Sequence, residues 1–452
     1  MTTVALVYPY FQPSNDNSIF RFPPLGLGYI AAFLRRQGIS VQLIDCTFLT
    51  QEEALKRIRL SRPKIVGIQV MFSMKEKALQ IAEFLRKDCE LLVAGGPLPT
   101  SDPEEFLGTF DVVVVGEGEE TMLELAHATQ SGMDLRNVRG IALKEKNRMK
   151  MTPHRSYIHS LDAIPFPSRE FFDNAAYKNY YLKNFGYTTT SIITSRGCPF
   201  KCDFCSRPVF GNRFRSRTAV NIVDEVEAVY RLGYHEIWFA DDCFTLDRKR
   251  LLGICDELVR RHLSIGWECL SRVDTVDIAV AKKMRQAGCT RVFFGIESGN
   301  DSILKIMKKQ ATVKQAKEAV HIFKKAGIRV GAFFILGYPG ENDSTIMDTV
   351  RLASSLPLDY LSFTFPYPIP GTPLFDRLKD KMISEDWKEP ENIHIIKHKL
   401  LYVSAFSAVK LKFAIFKGMT QFYLRKYLGN RVYNIIGKPY ECLTDLAYRI
   451  LP

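Results

Sequence analysis

The amino-acid sequence predicts an α/β protein in three parts: a doubly wound, Rossmann-like parallel sheet, a partial (βα)6 TIM barrel and a mostly helical C-terminal region. Two observations lead to this prediction. Short β-branched runs alternate with amphipathic stretches in the first part of the chain, and the alternation resumes further along. Beyond about Pro373 it stops and a basic helical pattern follows. A chain of 452 residues is long enough to bury such cores.

The first sheet is predicted from five β-branched runs. Helical patterns such as GLGYIAAFLRR and KEKALQIAEFLRK separate them, with apolar residues recurring every three or four positions. Five βα units indicate a parallel sheet with helices on both faces, whose ligands bind beyond the carboxyl ends of the strands. The predicted strands are Val4 to Tyr8, Val41 to Asp45, Ile65 to Val70, Leu91 to Ala94 and Val112 to Val115.

The second sheet follows a weaker stretch, Arg136 to Ser168, which reads as a small extension and linker. Six further βα units indicate a partial barrel, and its function is expected at the carboxyl ends of the strands. The predicted strands are Ser191 to Ser195, Glu236 to Asp241, Trp267 to Ser271, Arg291 to Ile296, Arg329 to Leu336 and Tyr360 to Thr364.

The charge is concentrated at one end of the chain. The net charge is +13, and residues 397–452 hold ten Lys and Arg against Glu441 and Asp445. The aromatic and aliphatic residues of this basic tail are spaced for one face of a helix. No apolar run is long enough to span a membrane, and the start MTTVALVYPY lacks a basic region and a cleavage site, so a cytoplasmic protein is expected.

Three cysteines form the most informative cluster. The ten cysteines are too sparse for a disulfide framework, but Cys198, Cys202 and Cys205 share one short loop after the first predicted barrel strand. Three thiolates can hold an iron–sulfur cluster and leave one iron open to another ligand. A structural zinc site and buried thiols without metal are the alternatives. Cys243, Cys255, Cys269 and Cys289 are expected to be small buried side chains without chemistry.

This loop resembles the CxxxCxΦC loop of the radical S-adenosylmethionine (SAM) enzymes, which follows the first strand of a partial (βα)6 barrel. The resemblance implies that an open iron of a [4Fe–4S] cluster chelates the methionine end of SAM. Further matching motifs follow the later barrel strands: Asp241-Asp242-Cys243-Phe244-Thr245, Arg272-Val273-Asp274, Gly295-Ile296-Glu297-Ser298-Gly299, Gly337-Tyr338-Pro339-Gly340-Glu341 and Pro370-Gly371-Thr372-Pro373-Leu374.

The N-terminal half is similar to the cobalamin-binding domains that precede such barrels. The DxHxxG motif, by which some of these domains supply a histidine to cobalt, is absent, so no histidine is expected to ligate cobalt from below. The resemblance covers about residues 1–375. Three motifs carry this half of it: Pro23-Pro24-Leu25-Gly26-Leu27, Ala94-Gly95-Gly96 and Gly116-Glu117-Gly118-Glu119. The implied cobalamin-binding residues are Pro24, Leu25, Gly26, Ser73, Gly95, Gly96, Gly116, Glu117 and Gly118.

The implied SAM-binding residues each have a simpler alternative. Phe204 is expected near the adenine, or as a packed loop residue. Arg272 suits a carboxylate because its guanidinium pairs bidentately, but an ion pair with Asp274 is the alternative. Gly337 is expected in a tight turn at the adenine, which an ordinary turn also explains. Glu297 and Ser298 are assigned to ribose or amino-acid contacts rather than capping, whereas Asp241 is left between ligand binding and helix capping.

The resemblance implies four regions. Residues 1–135 are expected to form the cobalamin-binding domain and 136–185 a linker and extension. Residues 186–375 are expected to form the radical SAM barrel, and 376–452 a basic, mostly helical subdomain.

The resemblance implies a cobalamin-dependent radical SAM C-methyltransferase. One SAM methylates cobalamin, a second yields a 5′-deoxyadenosyl radical that removes hydrogen from an unactivated sp3 carbon, and methylcobalamin supplies the methyl group. No individual catalytic residue is assigned. A cyclase or rearrangement enzyme acting on a tetrapyrrole or lipid, and a non-enzymatic cobalamin- or zinc-binding module, are the alternatives.

The expected partners follow from the same resemblance. A low-potential donor such as ferredoxin or flavodoxin is expected to supply electrons, and nucleic acid is not expected to bind. The substrate is left open among peptides or proteins, lipids and tetrapyrroles, with C-methylation of a glutamine of methyl-coenzyme M reductase as one specific candidate. The basic tail is assigned three alternative roles: a cover for the barrel mouth, a docking site for a peptide, or a peripheral contact with an anionic lipid surface. A helical subdomain with solvated lysines is the simpler alternative.

Overall fold

The structure, a computed structural model, describes residues 3–12, 18–383 and 399–451. Part of the predicted C-terminal region, including Lys397, lies outside these ranges. The chain forms two compact units. The first comprises the described residues up to Pro199 together with Ser206–Ile237, and the second comprises Phe200–Cys205 and the described residues from Trp238 onward. Among the described residues, no helix combines the length and apolarity needed to cross a bilayer.

The N-terminal sheet has seven strands in the order β2-β1-β3-β4-β5-β6-β7. The first five are parallel, as predicted, and β6 and β7 add an antiparallel edge. Because β1 has β2 on one side and β3 on the other, the chain switches direction across the sheet between β1 and β3. The strands are Thr3–Tyr8, Ser40–Asp45, Ile65–Gln69, Leu91–Gly95, Val112–Val114, Ile141–Glu145 and Arg148–Met151.

The β6-β7 hairpin occupies part of the stretch expected to be an extension and linker. Its turn residues Lys146 and Asn147 both have positive φ, as a tight two-residue hairpin requires. The strand β7 has only four residues, and three of its side chains are exposed, so it is too short and too exposed for a sequence pattern to identify it.

Five helices accompany this sheet. The apolar face of α1 is buried at Leu27, Ala31 and Leu34 in the core that includes β1 and β4. Helix α2 begins with a capping box in which Thr50 and Glu53 satisfy each other's backbone N–H groups. The helices are Leu25–Arg36, Gln51–Leu60, Lys75–Leu85, Pro97–Ser101 and Glu119–Ser131.

The second sheet has six strands in the order β15-β14-β13-β12-β11-β8, and β12 to β15 pair in parallel. The first predicted barrel strand ends early, because Ser195–Arg196 forms a separate strand, β9, that pairs antiparallel with β10. The two short strands are β9 and β10, Arg215–Ser216. The sheet strands are β8 Thr189–Ile192, β11 Glu236–Phe239, β12 Gly266–Ser271, β13 Cys289–Glu297, β14 Arg329–Ile335 and β15 Tyr360–Thr364.

The remaining helices include a long C-terminal element, α14, with a kink at Gly429. The part of α14 before the kink is its first arm, and the part after the kink is its second arm. The first arm packs so closely on α12 and β15 that a Cβ at Gly418 would lie 2.9 Å from the Phe363 ring. The helices are α6 Asn174–Phe185, α7 Ala219–Arg231, α8 Arg248–Arg260, α9 Ile278–Gln286, α10 Asp301–Ile306, α11 Val313–Lys325, α12 Asp343–Ser355, α13 Pro373–Leu378 and α14 Ala408–Ile450.

Candidate functional site

The residues assigned to cobalamin lie at the carboxyl edge of the first sheet. Leu25 and Gly26 open α1 after β1, and Ser73 lies in a short helical turn after β3. A Cβ at Gly26 would have one neighbour within 4 Å, the amide oxygen of Gln69 at the end of β3. The segments after β1 and β3 therefore meet at the switch point, where sheets of this kind bind ligands.

The glycines after β4 and β5 complete this edge. Gly96 has a φ of 101°, and a Cβ there would lie 3.1 Å from the carbonyl oxygen of Val70. Gly116 also has positive φ, and its N–H donates to Thr100 Oγ1 at 3.2 Å. Gly118 begins α5 and packs against Ile30. Glycine tolerates the positive φ of Gly96 and Gly116 and the close packing at Gly96, so these turns present backbone rather than side chains.

Glu117 has a different role from the other residues of this group. Its carboxylate is buried and accepts from Arg196 at 2.8 Å and from Arg215 at 2.9 Å. Arg196 also pairs with Glu119 at 2.5 Å. Arg196 belongs to β9, two residues before Cys198, so the network fixes the start of the cysteine loop to the turn after β5 within the first unit. Glu117 can serve cobalamin through its backbone, because its side chain is already paired.

Cys198 lies in the first unit and is buried. Its carbonyl oxygen accepts from Arg207 at 2.6 Å. The preceding Gly197 has positive φ, and a Cβ there would lie 2.4 Å from the carbonyl oxygen of Arg213. This crowding accounts for a glycine immediately before the first cysteine.

Cys202 and Cys205 lie in the second unit, where Cys202 is flanked by cations. Arg272 directs Nη1 at Cys202 Sγ from 3.8 Å and lies over the Phe200 ring at 3.5 Å. Arg272 also forms a bidentate pair with Asp274 and donates to the carbonyl oxygen of Lys309. The ion pair with Asp274 that was the alternative role of Arg272 is therefore present, and Nη1 of the guanidinium is directed at a cysteine sulfur.

Glu297 and Lys309 form a buried ion pair at the end of β13, 2.9 Å apart. The proximity of Glu297, and then of Cys202, raises the pKa of Lys309 against the opposing effect of burial. Glu297 has a φ of 70°, which a non-glycine residue rarely adopts, and it lies at a bulge between β13 and β14. Strained backbone of this kind is typical of functional sites.

Two other assigned residues are held within the protein. Asp241 is buried and lies 3.4 Å from Arg250, while Asp247 caps the following helix, α8. Capping by Asp241 is therefore wrong for α8. The fully buried hydroxyl of Ser298 bonds with Thr349 Oγ1 at 3.2 Å, and the Asn300 N–H donates to it. Ser298 thus fixes the turn after β13.

Phe204 is packed within the second unit, edge-on to Tyr338 at 6.4 Å and against the cluster that includes Leu374. Its neighbour Asp203 accepts from Tyr338 and from Arg377, the latter at 2.7 Å. Burial and the hydrogen bond to Asp203 raise the pKa of Tyr338. Sequence reasoning missed this trio, although its members lie within or beside the quoted motifs.

Gly337 is tightly held after β14. It has a φ of 86°, its N–H donates to Glu341 at 2.7 Å, and its carbonyl accepts from Tyr402 at 2.7 Å. A Cβ would lie 2.6 Å from Leu411 on α14. Burial raises the pKa of Glu341 to about 7, opposed by hydrogen bonds from the N–H groups of Tyr338 and Gly337. Glu341, which belongs to a quoted motif but had no role assigned to it, and Tyr402, which the sequence did not single out, are positioning residues.

The other cysteines behave as expected. Cys243, Cys255, Cys269 and Cys289 are buried, and burial raises the pKa of Cys255 to about 12, so it stays a thiol. Within the described ranges, no group of three His, Cys, Asp or Glu side chains is gathered closely enough to hold a metal ion. The three loop cysteines nevertheless provide thiol donors, and the N–H directed at Cys202 suits a thiolate-bound cluster.

Comparison with known proteins identifies two regions of the chain. Residues 192–353 match the radical SAM superfamily, and residues 16–126 match the B12 binding domain. The SAM-site candidates Phe204, Asp241, Arg272, Glu297, Ser298 and Gly337 all fall in the first match.

Similar proteins align with most of this chain. An uncharacterized methyltransferase of Pyrococcus horikoshii is 34% identical over 91% of each chain. The anaerobic magnesium-protoporphyrin IX monomethyl ester cyclase of Cereibacter sphaeroides is 27% identical over 94% of this chain and 71% of its own. The radical SAM methyltransferase TsrM of Kitasatospora setae, solved with cobalamin and a [4Fe-4S] cluster, has a TM-score of 0.71 at 21% identity, over 84% of this chain and 75% of its own, and shares the fold. The chain belongs to the B12-binding radical SAM enzymes, as a methyltransferase-like member that uses a [4Fe–4S] cluster, SAM and cobalamin.

Proposed function

We propose that the enzyme transfers a methyl group from SAM, by way of cobalamin, to an unactivated sp3 carbon. The observation that carries this proposal is the grouping at the carboxyl edge of the second sheet: Asp241, Arg272, Glu297 and Gly337 follow or end four successive strands. The 34% identity to a methyltransferase over nearly the whole chain supports methyl transfer as the reaction.

Cys198, Cys202 and Cys205 would hold the cluster. Arg272 would donate to the Cys202 sulfur, which stabilises a negatively charged thiolate. The cluster, when bound, supplies the electron that cleaves SAM. The buried pair Glu297–Lys309 would present charged groups to the amino-acid end of SAM without leaving either charge unpaired.

Gly337 would let backbone approach the adenine, and Phe204 would pack beside it. The contacts of Gly337 with Glu341, Tyr402 and Leu411 hold this turn in place before SAM binds. A fixed turn reduces the ordering required on binding, which favours affinity.

The cradle formed by Gly26, Gly95, Gly96 and Gly116 would hold cobalamin, which carries the methyl group when bound. The single histidine before His154 is His127, which lies in α5 outside a DxHxxG motif, so we infer that this domain would supply no histidine to the cofactor. The ion pairs of Glu117 with Arg196 and Arg215 would join the turn after β5 to the base of the cysteine loop.

Counting products tests methyl transfer. In an anaerobic reaction with reduced ferredoxin or flavodoxin and candidate substrates, we expect 5′-deoxyadenosine and S-adenosylhomocysteine in similar amounts, with a methyl mass gain on the product. Substrates from peptide, lipid and tetrapyrrole classes are compared, including a glutamine-containing peptide of methyl-coenzyme M reductase. Substrate conversion that yields 5′-deoxyadenosine but no S-adenosylhomocysteine would contradict methylation.

A second candidate is cyclisation or rearrangement of a tetrapyrrole. It is favoured by the 27% identity to the magnesium-protoporphyrin cyclase across 94% of this chain. The same product count distinguishes it, because a cyclase would convert its substrate without forming S-adenosylhomocysteine and without adding the mass of a methyl group to the product.

A further inference from the structure

The C-terminal helix α14 carries an exposed apolar face. Half of the large apolar side chains exposed among the described residues lie between 403 and 450. On the first arm the spacing is seven, seven and four residues, which places Val409, Phe416, Tyr423 and Tyr427 along one side of the helix. Phe416 is 58% exposed and Tyr427 is 77% exposed.

The opposite side of this arm is packed within the second unit. Leu411, Ala414 and Phe422 are buried, and Gln421 bonds to Ser354 on α12. The exposed side is therefore not the side through which this helix packs on the second unit. A shallow apolar groove of about 300 Å³ lies on it, lined by Met419, Thr420, Tyr423, Leu424, Tyr427 and Leu428.

The second arm folds back on the first and adds more apolar surface. Lys417 donates to Thr444 at 2.7 Å, and Arg425 pairs with Glu441 at 2.9 Å. On the outer side of this arm, Leu443, Leu446 and Ile450 recur at three and four residues and are exposed. Together with Val409, Phe416, Tyr423 and Tyr427, these residues define the docking face.

The helix that carries the docking face has an excess of positive charge. The two carboxylates of residues 399–451, Glu441 and Asp445, are paired with Arg425 and Lys417. Lys412, Lys438 and Arg449 are exposed. An exposed apolar and aromatic surface with an excess of lysine and arginine is complementary to anionic headgroups, whereas a second copy would place these cations against one another.

We propose that the docking face binds the surface of an anionic lipid bilayer. The aromatic and aliphatic side chains would enter the headgroup boundary, and the cations would contact the anionic lipids. The proposed contact is peripheral, because α14 would meet the bilayer through one exposed face. Leu411, on the buried side of the same arm, contacts the Gly337 turn, which connects the docking helix to the proposed SAM site.

Vesicle binding by the full-length holoenzyme tests this proposal. We expect cosedimentation with phosphatidylcholine vesicles that contain phosphatidylglycerol, and much weaker binding to phosphatidylcholine alone. Lys412→Glu/Lys438→Glu is expected to weaken binding roughly tenfold or more, and added salt to weaken it further. Phe416→Ser/Tyr427→Ser should lower binding to both vesicle types.

Matched controls use exposed residues of α2 in the first unit. Lys56→Glu and Leu60→Ser are single substitutions of the same two kinds, charge reversal and loss of an exposed apolar side chain, and should leave vesicle binding unchanged. Retained iron and cobalamin content shows that each variant is folded. The proposal is overturned if the holoenzyme ignores anionic vesicles, if the docking-face variants bind as wild type, or if Phe416→Ser/Tyr427→Ser instead abolishes a dimer measured by ultracentrifugation.

Discussion

Arg272 couples three groups at the carboxyl end of β12: Asp274, the Lys309 carbonyl and the Cys202 sulfur. Hydrogen bonds to the sulfurs of an iron–sulfur cluster raise its reduction potential. Replacing Arg272 with methionine removes the donor and a nearby positive charge. We therefore expect Arg272→Met to lower the midpoint potential in an EPR-monitored redox titration.

The matched control is Arg248→Met, which disrupts an exposed pair with Asp277 in the same unit. It should leave the potential unchanged. An unaltered midpoint in Arg272→Met, with full iron content, would show that Arg272 does not act on the cluster.

At this scale the sequence identifies the chemistry of residues better than their contacts. The spacing of Cys198, Cys202 and Cys205 is visible in any short window. The partners of Glu117 are not, because Arg196 and Arg215 lie 79 and 98 residues away. Pairing across such separations depends on the fold rather than on local pattern.

The base of the cysteine loop, β9, depends on the network that joins it to the turn after β5. Removing one charge from a buried network leaves its partners unpaired and costs about 3–5 kcal/mol. We expect Glu117→Gln to lower the free energy of unfolding by an amount of this order, measured by denaturant titration. Iron incorporation should fall as well.

Glu120→Gln serves as the control, since the half-exposed Glu120 of α5 pairs with Arg155, which keeps Glu124 as a second partner. Exposed pairs contribute roughly 0–1 kcal/mol. Equal destabilisation by the two substitutions would contradict a special role for the buried network.

The turn after β14 is positioned by α14. Gly337→Ala adds both the strain of a positive φ, about 1–2 kcal/mol, and a collision with Leu411. Gly327→Ala adds similar strain at a φ of 78°, where the nearest atom is 3.7 Å from the added Cβ. We expect SAM affinity, measured by equilibrium dialysis, to fall at least several-fold in Gly337→Ala and to stay unchanged in Gly327→Ala. Equal SAM affinities in the two variants would show that the contact of Gly337 with α14 does not affect SAM binding.

Elements with strong patterns are predicted well, and edge elements are not. Strands β3, β4 and β5 are buried on both faces, which requires apolar residues throughout, whereas the edge strand β2 alternates exposed and buried side chains. The hairpin of β6 and β7 lies at the sheet edge, where charged side chains such as Lys150 are tolerated. The apolar residues of β6 are confined to its first three positions, and β7 has four residues, so neither strand gives the long buried run that identifies the strands before them.

For the whole molecule, the net charge of +13 is most informative through its distribution. The excess near the C-terminus surrounds exposed apolar side chains on α14, while many cations elsewhere, such as Arg169 and Arg217, are buried with Glu225. Fold class and cofactors could be predicted because they depend on motifs repeated at successive strand ends. The substrate could not, because no described side chain identifies it.

The central claim is that Cys198, Cys202 and Cys205 hold the cluster that cleaves SAM in a cobalamin-dependent enzyme. The most direct measurement is 5′-deoxyadenosine formation by anaerobically reconstituted protein with SAM and reductant, compared with single Cys→Ala variants at the three positions. Cys255→Ala is the control. We predict product from wild type and control, none from the three variants, and equal cobalamin content in all. Product from a loop-cysteine variant, or none from wild type with a full cluster, would contradict the account.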